Sequence, residues 1–134
     1  DRGFVTETIR LGLCIAAVGA LGEALLSTAA SYSITLGYVV YFVTAFLFGY
    51  GYGTLFPAYN TLFINLAPNS RRATANATYL TGWDVGIGAG MLLGGSIAEY
   101  AYSYCYMFGV VLIVVALIYF VSVVTPHFHK YKLR

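Results

Sequence analysis

The chain is 134 residues long, 60% hydrophobic and only 9% charged, with a mean hydropathy of +0.78. A soluble domain carries about a quarter of its residues as charge, so a single soluble core is not expected, and a formal charge of +2 gives no basis for nucleic-acid binding. The composition defines an all-α membrane protein whose main partner is the lipid bilayer.

Four hydrophobic segments are predicted, at about 9–30, 37–66, 73–98 and 104–124. Each is long enough for the roughly 20 residues that cross a hydrocarbon core. The first is interrupted only by Arg10 at its start and Glu23 late in it. The second contains Gly49, Gly51, Gly53 and Pro57, where proline removes a backbone donor and a bend or local loosening is expected. The third begins after Ala67-Pro-Asn-Ser-Arg-Arg72, with Asn69 or Ser70 expected as the N-cap. The fourth is nearly all Val, Leu, Ile, Phe and Tyr and is expected to face lipid over much of its surface.

The cations set the orientation. Arg2 and Arg10 flank the start of the first segment, Arg71 and Arg72 follow the second, and Lys130, Lys132 and Arg134 follow the fourth. With four spans, all seven fall on one side, the pattern of a cytoplasmic face. Both termini of this segment are therefore expected in the cytoplasm. Tyr32, Tyr38, Tyr100, Tyr102, Tyr104 and Tyr106 cluster on the other side, as in a headgroup-level aromatic belt. The chain starts at Asp1, with neither an initiator methionine nor a signal-peptide n-region, and reads as a piece of a longer polypeptide.

No chemistry of catalysis is apparent. Cys14 and Cys105 lie at different depths on this topology, which disfavours a disulfide. His127 and His129 stand alone in a basic tail without metal-ligand spacing. Asn76-Ala-Thr78 matches a glycosylation acceptor but falls on the cytoplasmic side. No enzyme activity, metal or cofactor is expected.

The third segment holds the most informative stretch, Thr81 to Gly95. Gly82, Gly86, Gly90 and Gly94 recur every four residues and draw one ridge without side chains. Such a ridge suits close helix packing in a bilayer, where the backbone has no alternative hydrogen-bond partner. Asp84 lies about 200° around the helix from the ridge. An intramembrane carboxylate is costly unless it is paired or wet, so Asp84 reads either as a latch between helices or as a group handling protons or substrate. Glu23, nearer the outer end, either reaches the interface or takes part in coupling.

In the second segment, Phe48, Tyr52, Phe56, Tyr59 and Phe63 share one helical face. This stripe reads as packing or as the lining of a substrate cavity, with Tyr52, Tyr59 and Asn60 as candidate substrate contacts. Gly49-Tyr-Gly-Tyr-Gly53 is not a nucleotide loop, because it lacks a preceding strand and lies inside a span.

The run Gly49-Tyr-Gly-Tyr-Gly-Thr-Leu-Phe-Pro57, then Asn-Leu-Ala-Pro-Asn-Ser-Arg-Arg72, then Trp83-Asp84-Val-Gly-Ile-Gly-Ala-Gly90 resembles the late helices of the major facilitator superfamily. It is most similar to the bacterial proton-coupled exporters of that superfamily. Gly86-xxx-Gly90-Met-xx-Gly94-Gly95 resembles their antiporter motif GxxxGPxxGG, with Met91 in place of proline. Asp1-Arg2-Gly3 resembles the remnant of a cytoplasmic DRxGR loop.

The resemblance implies that these are the ninth to twelfth of twelve helices, with the tenth and eleventh lining the central cavity. It implies a permease of the bacterial inner membrane that works with its remaining helices to export a small molecule in exchange for protons. Asp84 and Glu23 are then candidates for coupling or gating. A different reading is a non-transporting four-helix membrane module that assembles through its glycine ridge.

Overall fold

The structure, a computed structural model, describes residues 4–132. The Asp1-Arg2-Gly3 motif and Arg134 lie outside the described residues. The chain is a bundle of helices: α1 (Val5–Ala24), α2 (Leu26–Tyr32), α3 (Ile34–Leu66), α4 (Arg72–Ala98), α5 (Tyr102–Tyr119) and α6 (Thr125–Tyr131). A single 3-10 turn, Asn69–Arg71, precedes α4, and a π-helical turn, Phe120–Val124, joins α5 to α6.

The first predicted segment is divided at Leu25, with α2 continuing beyond it. The second is one uninterrupted 33-residue helix with Pro57 inside it. The expected N-cap differs in detail. Arg71 holds the cap position of α4 without a side-chain cap hydrogen bond, because the chain first tightens into the 3-10 turn, where the Arg71 N–H donates to the Pro68 carbonyl.

The π turn has a local cause. Pro126 has no N–H and its ring would crowd the carbonyl four residues back. The turn widens instead, and both the backbone N–H and the hydroxyl of Thr125 donate to the Phe120 carbonyl. One extra residue in the turn sets the helical register back by about 100°. Phe128 thereby returns to the face that carries Ile113, Leu117 and Phe120, and it is 1% exposed.

The core gathers Ile9 and Leu13 of α1, Leu55, Ala58 and Leu62 of α3, Phe120 and Phe128. Val5 and Leu66 pack against it. The start of α1, the end of α3 and α6 therefore share one end of the bundle. At the opposite end the Ser27 hydroxyl of α2 lies 3.2 Å from that of Ser103 of α5, and a Cβ at Gly94 would meet Cys105 Sγ at 3.4 Å. The long helices thus run alternately up and down. Arg10, Arg71, Arg72, Lys130 and Lys132 lie towards the first end, whereas Glu99 and the exposed Tyr32, Tyr100 and Tyr102 lie at the other.

α1 packs chiefly on α3 and next on α5. Its buried positions include Gly12, Ala16 and Gly19, small residues at spacings of four and three that let the α3 backbone come close. A Cβ at Gly19 would sit 2.6 Å from the Phe48 backbone nitrogen, and one at Gly51 would sit 2.7 Å from that of Ala16. α4 touches α3 and α5 more lightly, and Tyr79 is its one buried residue.

Candidate functional site

The α3–α4 contact is built from aromatic rings. Trp83 lies 5.4 Å from Tyr52 and meets Phe56 edge-on at 5.0 Å and 80°. Tyr79 sits 5.5 Å from Phe56 and 5.7 Å from Phe63. These separations suit favourable edge and tilted ring contacts. Two polar contacts fix the pairing. The Tyr79 hydroxyl donates to the Phe56 carbonyl at 2.8 Å, and Asn60 Nδ2 donates to Asn76 Oδ1 at 2.8 Å. Steps of three and four bring these residues onto facing sides of α3 and α4.

The three candidate substrate contacts have separate surroundings. Tyr52 is about half exposed beside Trp83. Asn60 is engaged with Asn76. Tyr59 meets Phe120 edge-on at 5.8 Å and packs against the core. Tyr52 and Trp83 stand at an open groove of about 640 Å³, bounded by Leu13 of α1 and by Leu112 and Ile113 of α5.

The glycine ridge borders the same groove. Gly82, Gly86 and Gly90 line it, and apart from the local backbone of α4 no atom lies within 4 Å of a Cβ built at any of them. Only Gly94 of the four comes near a neighbour, Cys105. The tightest glycine contacts belong to α1 and α3 instead.

Asp84 follows Trp83 on α4 and is exposed. It makes no hydrogen bond or ion pair among the described residues. Glu23 is different: it is 7% exposed, and Thr44 Oγ1 donates to its Oε1 at 2.7 Å across the α1–α3 interface. The same hydroxyl lies 2.7 Å from the Val40 carbonyl and 3.3 Å from that of Tyr41, so one hydrogen is shared among three acceptors. Gly22 makes this approach possible, since a Cβ there would collide with the Thr44 methyl group. Glu23 also lies within electrostatic reach of Tyr106 of α5.

Sequence reasoning missed Thr44, Trp83, Tyr79 and Asn76 as partners of the singled-out residues. Thr44 carried no signal, because a lone threonine in an apolar helix usually bonds its own backbone. Tyr79 and Trp83, four apart on α4, could have been paired with the stripe on α3.

α1, α3 and the helix from Tyr102 to Tyr131 are each long and apolar enough to cross a membrane. α4 is long enough at 27 residues, but its Gly, Thr, Asn and Asp residues lower its hydropathy. Helices of this kind, with a polar and glycine-rich member among apolar ones, define an integral multi-pass membrane protein of the all-α class. Residues 4–133 match the Major Facilitator Superfamily, and the chain belongs to that family. Its members are transporters rather than enzymes. No curated protein and no solved structure matches the chain.

Proposed function

We propose that this chain is the C-terminal third of a major facilitator transporter that exports a small organic solute in exchange for protons. It does so by alternating access around a site shared with helices outside this segment. Both termini of the segment then lie in the cytoplasm, and the membrane is the bacterial inner membrane. The observation that carries the reading is the partly exposed aromatic surface of Tyr52 and Trp83, with Phe56 packed beside Trp83, at an open groove on α3 and α4. α3 and α4 hold polar groups within their lengths, whereas α5 carries none from Met107 to Ile118. In this reading Tyr52, Tyr59 and Asn60 contact substrate or the residues that shape its site. Asp84 and Glu23 serve coupling or gating.

Transport driven by an imposed proton gradient tests the reading. Asp84→Asn is expected to uncouple solute flux from the gradient while the protein remains folded in the membrane. An unchanged rate with unchanged coupling removes Asp84 from the mechanism.

The open ridge favours one other reading, a module that assembles with a second copy through Gly82, Gly86 and Gly90. Gly86→Leu distinguishes the two. Loss of an oligomer without any transport defect supports assembly; loss of transport by a monomer supports the transporter.

A further inference from the structure

The helix from Tyr102 to Tyr131 is 30 residues long, about 45 Å at 1.5 Å per residue, whereas the hydrocarbon core takes about 30 Å. It starts among the exposed tyrosines Tyr102 and Tyr104, which suit an interface. Some 20 residues on, the hydrocarbon ends near Val124. α6 therefore lies at the depth of the lipid headgroups on the cation-rich end of the bundle.

Its orientation there is fixed. Phe128 is fully buried against the core that includes Ile9 and Leu62, held in register by the π turn. The remaining faces carry His127, His129, Lys130, Tyr131 and Lys132. His127 lies against the Tyr131 ring at 4.5 Å, and Lys130 Nζ stands 5.2 Å from the same ring. Lys132 Nζ stands 6.0 Å from the Phe128 ring. Among the described residues Glu7 is the acid nearest this end, and it is engaged with Arg10. No described acid pairs with Lys130 or Lys132. Two ammonium groups, each beside an aromatic ring and without a described acid partner, at headgroup depth complement a negatively charged lipid surface.

We propose that α6 is a docking surface for anionic phospholipid headgroups, with Lys130 and Lys132 meeting the lipid phosphate and His127 and Tyr131 lying at headgroup level. The π turn and Phe128 hold this surface at a set angle to the bundle.

Lipid binding to the purified transporter tests this directly, independently of whether it exports anything. Phosphatidylglycerol and phosphatidylcholine with the same acyl chains are added in detergent, and bound lipid is counted by native mass spectrometry. The protein is expected to prefer phosphatidylglycerol, and the double variant Lys130→Gln/Lys132→Gln is expected to lose that preference by about tenfold. Lys130→Arg/Lys132→Arg, which keeps the charge, is expected to retain it. Lys130 is exposed and Lys132 half-buried, and an unchanged Tm verifies that both variants fold. An equal preference in the Gln variant overturns the proposal, as would occupation of these lysines by another part of the transporter, which leaves no preference in the parent. Displacement of phosphatidylglycerol by an equal concentration of free glycerol phosphate also overturns it, because the site would then be one for a soluble anion.

Discussion

Thr44 of α3 donates its hydroxyl to the Glu23 carboxylate of α1 at 2.7 Å, with the acid almost wholly enclosed. The pair ties the C-terminal half of α1 to α3 next to the break at Leu25. A buried carboxylate stripped of its donor keeps its desolvation cost without the compensating bond. Thr44→Val is therefore expected to destabilise the protein by about 1–3 kcal/mol. Thr44→Ser, which keeps the donor, is expected to lose less than half as much. Thermal unfolding in detergent reads the difference, and equal losses would mean that the hydroxyl contributes nothing.

Glycines that look alike in the sequence are expected to respond in opposite ways. A methyl group at Gly51 would press on backbone atoms, 2.7 Å from the Ala16 nitrogen and 2.9 Å from the Gly12 carbonyl. No side-chain rotation relieves that, and Gly51→Ala is expected to cost about 1–3 kcal/mol. At Gly86 the space is open, and alanine gains helix propensity worth up to about 1 kcal/mol. Gly86→Ala is thus expected to leave the Tm unchanged or raise it. A fall at Gly86 would reveal another helix packed on the ridge.

Asn60 and Asn76 join α3 to α4 through their amides. A double-mutant cycle with alanine at both positions is expected to show a coupling of about 0.5–1.7 kcal/mol, the range for interhelical hydrogen bonds in membranes. Additive effects would show that the bond is not made.

Phe128 anchors α6. Phe128→Ala is expected to cost about 3–5 kcal/mol through lost burial and the cavity left behind. Amide hydrogen exchange in Thr125–Tyr131 should accelerate more than in α3, since this seven-residue helix has few other contacts. Uniform exchange across the chain would argue against Phe128 as the local anchor.

Much of the fold could be read before any coordinate. A scarcity of charge and four long apolar runs are local properties, and the bilayer turns them into helices because the backbone has no other partner there. The grouping of cations at one end and tyrosines at the other is likewise local. The resemblance carried by Gly49–Pro57 and Trp83–Gly90 agrees with the family match. The limits of the fourth segment were harder to read, because hydropathy fades near Val124 while the helix runs on to Tyr131. Pro126 looks like a stop, yet the π turn absorbs it.

The candidate site was less legible than the fold. The stripe from Phe48 to Phe63 was visible as a period. Its division into an exposed part at Tyr52 and a core-packed part at Tyr59 depends on where Trp83 and Phe120 arrive, and they lie 31 and 61 residues away in the chain. Glu23 looked able to reach the interface, and its enclosure by Thr44 depends on how closely Gly22 lets α3 approach.

The sequence by itself determined that this is an all-α membrane protein of the major facilitator type, because hydropathy, charge and motif spacing are written residue by residue. Only the tertiary structure decided which small-residue surface is used. The Gly82–Gly94 series is the more regular, yet Gly82, Gly86 and Gly90 border open space while Gly12, Ala16, Gly19 and Gly51 bring α1 against α3. A missing side chain permits close approach but does not choose the partner. That choice depends on the complementary shape of a distant helix, and no local pattern contains it.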